Sequence, residues 1–286
     1  MTKVLITGAN SFVGTSVENW LLRDLERYCV DTVDTIDDKW KDADFSKYDV
    51  VFHVAGIAHV DPKPSMAPLY YKVNRDLTVE IAKHAKACGV KQFIFMSSMI
   101  VYHASKSLKG TIIDEKTKAA PNDFYGDSKL QAENGLKELE SDDFVVTILR
   151  PCMIYGSNGK GNFQRLAALA LKTPLFPAWH NKRSMLYIDN LCEFVRQAID
   201  RRLSGTFCLQ NREYADTVEI VRYFAEKADR RVLFSRMFNP FVWMGSFVLK
   251  PLCKMFANQY YTQETTSFGF DYQIVSFEDS LKQINI

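Results

Sequence analysis

Lys3-Val4-Leu5-Ile6-Thr7 is an apolar, β-branched run that breaks off at Gly8, and from Val13 the apolar positions Val13, Val17, Trp20, Leu21 and Leu25 recur at helical spacing. The pattern reads as a buried parallel strand that turns into a helix opened by Gly14. Parallel strands are covered on both faces, so the fold class expected is α/β with a doubly wound parallel sheet. A strand-to-helix turn of this kind aims free backbone N–H groups and the positive end of a helix at one point, where a pyrophosphate is held well. The spacing Gly8 to Gly14 fits a GxxGxxG loop in which Ser11 replaces the middle glycine. The replacement is mild provided Ser11 does not need a positive φ.

At 286 residues the chain suits one large α/β unit, alone or with a smaller annex. A formal net charge of +2 and the lack of a long basic tract argue against a nucleic-acid partner. Cys29, Cys88, Cys152, Cys192, Cys208 and Cys253 form no CxxC pair, which points to a reducing compartment and a cytoplasmic protein. The five histidines show no metal-ligand spacing, so no metal site is expected. The apolar run Phe238 to Leu249 is too short to span a bilayer and contains Asn239 and Pro240. At most it lies on a surface.

Further along, Tyr28 to Asp37 is strand-like with acids interleaved, and Asp34 or Asp37 suits a strand end where a ribose hydroxyl needs an acceptor. Acids there favour NAD over NADP, which is not excluded. Asp49 to Gly56 is a buried strand ending in small residues, and the dozen residues before it leave no room for a further helix and strand. The sheet is expected to be trimmed at that edge. Asp61-Pro-Lys-Pro-Ser marks a loop, and Tyr70 to Cys88 reads as a long helix closed by Gly89, with Asn74 either functional or polar surface. Val90 to Ser98 is a strand finishing at two serines, and Ser105 to Pro121 is loop-like. A helix from Asp127 to Glu140 and a strand from Phe144 to Leu149 follow.

Tyr125 and Lys129 stand four residues apart where that helix begins, so they share a face. A phenol titrates near 10, and it serves as acid or base at neutral pH only if something stabilises its phenolate. A lysine one turn along is suited to that.

The glycine turn, Val54-Ala55-Gly56, Ser98 and Tyr125xxxLys129, taken in that order, resemble the extended short-chain dehydrogenase/reductase family, and within it the nucleotide-sugar epimerases and dehydratases, such as those acting on UDP-glucose. Phe93-Ile-Phe-Met-Ser-Ser-Met-Ile-Val-Tyr102, Tyr-Lys-Val-Asn74, Arg150-Pro-Cys-Met-Ile-Tyr-Gly156 and Lys182-Arg-Ser-Met-Leu-Tyr-Ile-Asp-Asn-Leu191 extend the match over nearly the first two thirds of the chain. The resemblance implies a Rossmann-type dinucleotide domain over 1–155 with a return segment near 185–210. A smaller substrate-binding subdomain would comprise 156–184 and 211–286. It places Phe12, Val13, Asp44, Phe45, Ala55, Asn74, Ser97, Tyr125, Lys129 and Pro151 against the dinucleotide, in a cradle that also takes in Gly8, Asn10, Ser11, Gly14, Asp37, Val54, Gly56, Met96 and Met153. Ser98 aligns with the catalytic Ser or Thr, Tyr125 with the acid/base, and Lys129 with the group that stabilises its phenolate. Arg183 aligns with an arginine holding the substrate's diphosphate, and Asn162 and Phe176 with residues lining the nucleotide side. A homodimer through the helices near Tyr70 and Tyr125 is what relatives suggest.

Departures from the pattern sharpen the expectation. Met99-Ile100 occupy the places where a 4,6-dehydratase carries an Asp-Glu pair, and neither side chain can move a proton, so dehydration is not expected. Met153 replaces an Asn on the substrate side, and Ala58 stands where some epimerases place a cofactor-binding lysine. The aromatics Phe234, Phe238, Phe241, Trp243, Phe247 and Phe256 are expected to form core and lid of the small subdomain rather than to touch a membrane. The leading expectation is hydride transfer at C4 of a UDP-hexose for surface polysaccharide, with 4-epimerase ahead of 4-ketoreductase. A non-catalytic dinucleotide sensor or scaffold is the alternative from another class.

Overall fold

The computed structural model describes residues 1–58, 63–103, 107–157, 159 and 161–284, with the side chains of Asp37 and Lys250 outside that description. Of the expected loops, Asp61 and Pro62 in one and Ser105 in the other therefore lie outside the described residues.

Six parallel strands form the centre: β1 (Thr2–Thr7), β2 (Tyr28–Val33), β3 (Val50–His53), β4 (Gln92–Met96), β5 (Val145–Pro151) and β6 (Gly205–Leu209). Their spatial order is β2-β1-β3-β4-β5-β6, so the chain goes outward from β1 to β2 and then returns across β1 to β3. Such a reversal opens a crevice at the carboxyl ends of β1 and β3. The sheet stops at β2, as the short interval before Asp49 required; that interval is spent on 3-10 turns, Ile36–Asp42 and Phe45–Lys47.

Successive strand residues serve opposite faces. Val4, Ile6, Phe52 and Ile94 join one apolar cluster with Val17 and Leu21 of α1 (Phe12–Leu21) and with Leu191, Phe194, Val195 and Ala198 of the helix Ile188–Arg201. Leu5, Val51, Phe93 and Phe95 join the other, with Ile81, Ala82 and Ala85 of α2 (Leu77–Ala87) and Ala132 and Leu136 of α3 (Phe124–Lys137). This two-sided cover explains why the strands read as continuous apolar runs.

Boundaries differ from the sequence expectation where caps decide them. α1 opens at Phe12 rather than Gly14 because Ser11 is the cap, and α3 opens at Phe124 because the Asp123 carboxylate takes the Gly126 N–H at 2.7 Å. Tyr125 therefore lies inside the first turn. The stretch read as loop contains a strand, Thr111–Ile113, that pairs in parallel with Gln259–Tyr261. Tyr261 in turn donates to the Arg150 carbonyl at 2.9 Å, seating the C-terminal part on the end of β5.

The aromatic segment divides. Phe256 is buried and packs with Phe234 around Phe176, whereas Phe241, Trp243 and Phe247 are 54–71% exposed. These three are not core, because the helix Asn239–Ser246 turns only Val242 and Ser246 inward and Phe247 follows it on the exposed side.

Candidate active site

The site is assembled where the strand ends converge. Gly8 has φ +98°, and a Cβ on it would sit 2.7 Å from the Ala55 nitrogen, so only glycine allows the turn to press against the end of β3. The second left-handed residue is Asn10 (φ 62°), while Ser11 keeps an ordinary φ of −77°. Serine in place of the middle glycine is thus unstrained. Its Oγ accepts from the Gly14 N–H at 3.1 Å, and the N–H groups of Ser11, Phe12 and Val13 remain without an intrahelical acceptor. Gly14 is fixed by crowding as well, since a Cβ there would meet Ser11 Oγ at 2.7 Å and Val54 Cγ2 at 3.2 Å. The N–H groups of Gly8 and Ala9 both reach the Val33 carbonyl, which pins the end of β2, and hence Asp34, beside the turn. Asp37 is one turn further, in Ile36–Asp42.

Asn74 is neither surface nor loop. It is fully buried in a π turn, Tyr71–Asp76, leading into α2. Its amide accepts from the Ile57 N–H at 2.8 Å and donates to the Ile57 carbonyl at 3.2 Å and to Ser128 Oγ at 3.3 Å. One side chain thereby clamps the loop leaving β3 onto α3, beside Lys129. Gly56 lies in the same cluster, where a Cβ would stand 3.0 Å from Asn74 Oδ1 and 3.2 Å from Lys129 Nζ.

Ser98, in an extended conformation just past β4, caps the 3-10 turn Met99–Val101 by accepting from the Ile100 N–H at 3.2 Å. Its hydroxyl also lies close enough to the Tyr125 phenol to favour the ionised form. Burial pushes that phenol up to about 12, Ser98 works in the opposite direction, and Tyr70 and Asp123 add to the rise. Lys129 is not among these influences. It is buried, its ammonium donates to the Met96 carbonyl at 2.8 Å and lies 4.7 Å from the centre of the Phe95 ring, and burial brings it down to about 8 despite Glu133. In this arrangement the Met96 carbonyl is the acceptor for the Lys129 ammonium.

Two features escaped the sequence reading. Gly126 is one: a Cβ on it would lie 2.4 Å from the Ile100 carbonyl oxygen, so the glycine is what allows α3 to settle on the Ser98–Ile100 turn. Its place next to Tyr125 was the available signal. The other is a buried network in which the Ser97 hydroxyl donates to Glu133, Arg150 Nε donates to Glu133 at 2.9 Å, and Arg150 Nη1 donates to the Tyr102 hydroxyl at 2.8 Å. Burial works against the Arg150 charge, and the bonds to Glu133 outweigh it. Seventeen positions separate Glu133 from Arg150, with no local signature to join them.

The remaining candidates distribute as follows. Val54, Ala55, Met96, Ser97 and Pro151 line the strand ends, with the Ser97 hydroxyl turned to Glu133. Asp44 caps the turn Phe45–Lys47 through Ser46, and the Phe45 ring is fully buried against Trp40 and His84. Met153 is half-buried in the strand Met153–Tyr155. Asn162 is exposed at the start of the helix Asn162–Ala170, and the buried Phe176 ring packs between Phe234 and Phe256. Arg183 donates to the Lys254 carbonyl at 2.6 Å and, more weakly, to that of Ala257 at 3.5 Å. Burial lowers its proton affinity, and among the described residues no carboxylate pairs with it. A half-buried cation that no carboxylate among the described residues offsets suits an anionic ligand.

The model of the family described as "NAD dependent epimerase/dehydratase family" matches residues 4–207. This chain belongs to that family. A UDP-glucose 4-epimerase of Vibrio cholerae is 32% identical over 250 residues, 79% of this chain and 76% of its own. An Escherichia coli O157:H7 N-acetyl-α-D-glucosaminyl-diphospho-ditrans,octacis-undecaprenol 4-epimerase is 25% identical over 90% of this chain and 82% of its own. In fold, the chain is similar to a UDP-glucuronic acid 4-epimerase of Bacillus cereus solved with NAD (TM-score 0.75, 19% identity, 99% of this chain and 97% of that one). It is also similar to a dTDP-4-dehydrorhamnose reductase of Bacillus anthracis str. Ames solved with NADP (TM-score 0.71, 21% identity, 99% of each chain). The family member is thus an NAD(P)-dependent enzyme of the extended short-chain dehydrogenase/reductase type, and the turn fits such a cofactor in that Gly8 and Gly14 let it pack closely while the first N–H groups of α1 are left without an intrahelical acceptor. No helix among the described residues is long and apolar enough to cross a membrane.

Proposed function

We propose that this enzyme inverts C4 of a hexose carried on a nucleotide diphosphate, with UDP-hexose as the first substrate to test. The observation that carries the reading is that Gly126 lets the first turn of α3, which bears Tyr125, settle on the turn that Ser98 caps at the carboxyl end of β4, where Met99-Ile100 offer no second proton-transfer group. In this reading NAD, or NADP, supplies reversible two-electron chemistry when bound in the glycine turn. Tyr125 exchanges the proton at the sugar O4. Ser98 holds that oxygen in line, and Arg183 grips the diphosphate and so fixes the sugar. Asn74 ties the β3 loop to α3, and Lys129 ties α3 to the end of β4. Two relatives named as 4-epimerases support inversion over one-way reduction.

The test is to incubate the purified protein with UDP-glucose and with UDP-N-acetylglucosamine, without added cofactor, and to follow the C4 configuration by proton NMR. Epimer formation that Tyr125→Phe lowers by about 10²–10⁴-fold is expected. Turnover that consumes one NADPH per sugar would instead identify a 4-ketoreductase, and unchanged turnover in Tyr125→Phe would remove the catalytic assignment. A lipid diphosphate as carrier is a second reading. It is favoured by the bond from Arg183 to the Lys254 carbonyl, which ties the anion grip to the helix following the exposed apolar segment, and by the Escherichia coli relative's named substrate.

A further inference from the structure

The helix Asn239–Ser246 and the turn leading to the helix Lys250–Phe256 carry Phe241, Trp243, Met244, Phe247, Val248 and Leu249, each 52–81% exposed. They form one continuous stretch of chain. Trp243 and Phe247, one helical turn apart, meet edge to face at 5.1 Å, and their aromatic surface is directed away from the body. The opposite face is anchored: Val242, Ser246, Cys253 and Phe256 are buried, Cys253 Sγ bonds the Ser246 carbonyl at 3.3 Å, and a Cβ on Gly245 would press on Leu252. The projection is therefore a built element with a fixed outer face, and scattered exposed apolar residues are not of this kind.

Charge identifies what covers it. From Arg230 to Gln263 the sequence contains no Asp or Glu and five cations, Arg230, Arg231, Arg236, Lys250 and Lys254. Arg230, Arg231, Arg236 and Lys254, which flank the apolar stretch in sequence, are exposed. A second copy of the chain seated on this face would bring like charges together. A bilayer carrying anionic phospholipid matches both features, since the aromatic residues enter the headgroup boundary while the cations meet the lipid phosphates. We infer that the segment 236–254 is a peripheral docking surface for an anionic phospholipid membrane. The bond from Arg183 to the Lys254 carbonyl then sets the candidate diphosphate grip directly behind the membrane-facing element. The inference goes beyond the proposed reaction and does not depend on it.

The full chain is floated with vesicles of phosphatidylcholine alone and with vesicles containing a third phosphatidylglycerol. Binding to the anionic vesicles is expected, weakened by salt, together with a blue shift of the Trp243 emission assigned by its loss in Trp243→Phe. The double variant Trp243→Asp, Phe247→Asp changes only exposed side chains, and it should bind at least ten-fold more weakly with unchanged circular dichroism. Arg236→Glu should weaken binding roughly five-fold on anionic vesicles. The inference is overturned if the native chain does not bind these vesicles, if the double variant binds as well as the native chain, or if the face instead mediates self-association that the double variant abolishes.

Discussion

Gly126→Ala is the substitution that most directly tests how the site is held together. The added Cβ would stand 2.4 Å from the Ile100 carbonyl oxygen and 2.8 Å from Pro121 Cβ. A relaxed carbon-to-oxygen contact needs about 3.3 Å or more, so α3 and the Met99–Val101 turn must separate by roughly 1 Å. Neither partner can simply rotate away, because the oxygen belongs to the backbone of the turn that Ser98 caps. The separation falls between the element bearing Tyr125 and the element bearing Ser98, and a misplacement of about 1 Å in such a pair costs on the order of 10²-fold in rate. Overpacking removes about 1–3 kcal/mol of stability, partly offset by the roughly 0.5–1 kcal/mol that alanine gains over glycine inside a helix.

Steady-state turnover, cofactor affinity by nicotinamide fluorescence and thermal unfolding together separate these effects. The expected result is a kcat lowered about 10²-fold with cofactor affinity unchanged, because the glycine turn at Gly8 to Gly14 is untouched. Gly135→Ala in the same helix is the control. Its Cβ would meet Val79 Cγ2 at 2.8 Å, a side-chain methyl that can turn aside, so turnover should stay near native. A folded Gly126→Ala protein with kcat within about three-fold of native would refute the argument that this glycine sets the Ser98–Tyr125 distance.

Other expectations follow from the same geometry. Arg183→Gln removes a cation that no carboxylate balances among the described residues, and a lost charge-assisted hydrogen bond of about 1.5–3 kcal/mol should lower kcat/KM by roughly 10–100-fold, mostly through KM in steady-state assays. Lys129 is held down to about 8, so a role that needs its charge should weaken as pH rises through 8; a rate profile flat to pH 10 would contradict it. His53 is fully buried between the hydroxyls of Thr7 at 2.6 Å and Thr78 at 3.0 Å, and burial first, then Lys129, brings it from 6.5 to about 3. A depressed pKa means that the unfolded chain takes the proton first, so this stability is fully present above 6.5 and is lost as pH falls toward 3, at about 1.4 kcal/mol per unit. Urea unfolding at pH 7 and pH 5 should show the drop, and His53→Gln should lessen it.

The parts of the fold that could be read from sequence are those where one local pattern decides the outcome. β1, β3 and β4 declared themselves because strands covered on both faces are unbroken apolar runs, and the short interval before Asp49 ruled out a further strand. Tyr125 and Lys129 could be paired because helical spacing alone puts them on one face. What could not be read depends on contacts distant in sequence. The strand Thr111–Ile113 is only three residues long and has no period to detect, and its partner Gln259–Tyr261 comes nearly 150 residues later. The widened turn at Tyr71–Asp76 looks like ordinary helix in sequence, yet it is where Asn74 joins the β3 loop to α3. Trp243 and Phe247 misled for the converse reason: composition suggests burial, and only the packing of Val242 and Ser246 reveals which side of the helix is left outside.

The protonation state of the site bears on the direction in which it is poised. With the Tyr125 phenol near 12, removing its proton at pH 7 would cost about 7 kcal/mol, so at rest the tyrosine is an acid, matched to giving a proton to a ketone oxygen. Acting as base at a sugar hydroxyl requires positive charge brought close to the phenol, and Lys129 holds its charge against the Met96 carbonyl instead. An enzyme that only reduces could work with this arrangement unchanged. One that inverts C4 must reach both states within a turnover, so the proposed epimerase needs the charge environment of Tyr125 to change when ligands fill the site. The Asn74 clamp is the contact through which such coupling would run: it touches the β3 loop through Ile57 and α3 through Ser128, the neighbour of Lys129, so a ligand pressing on the loop would act on the helix that carries both catalytic candidates.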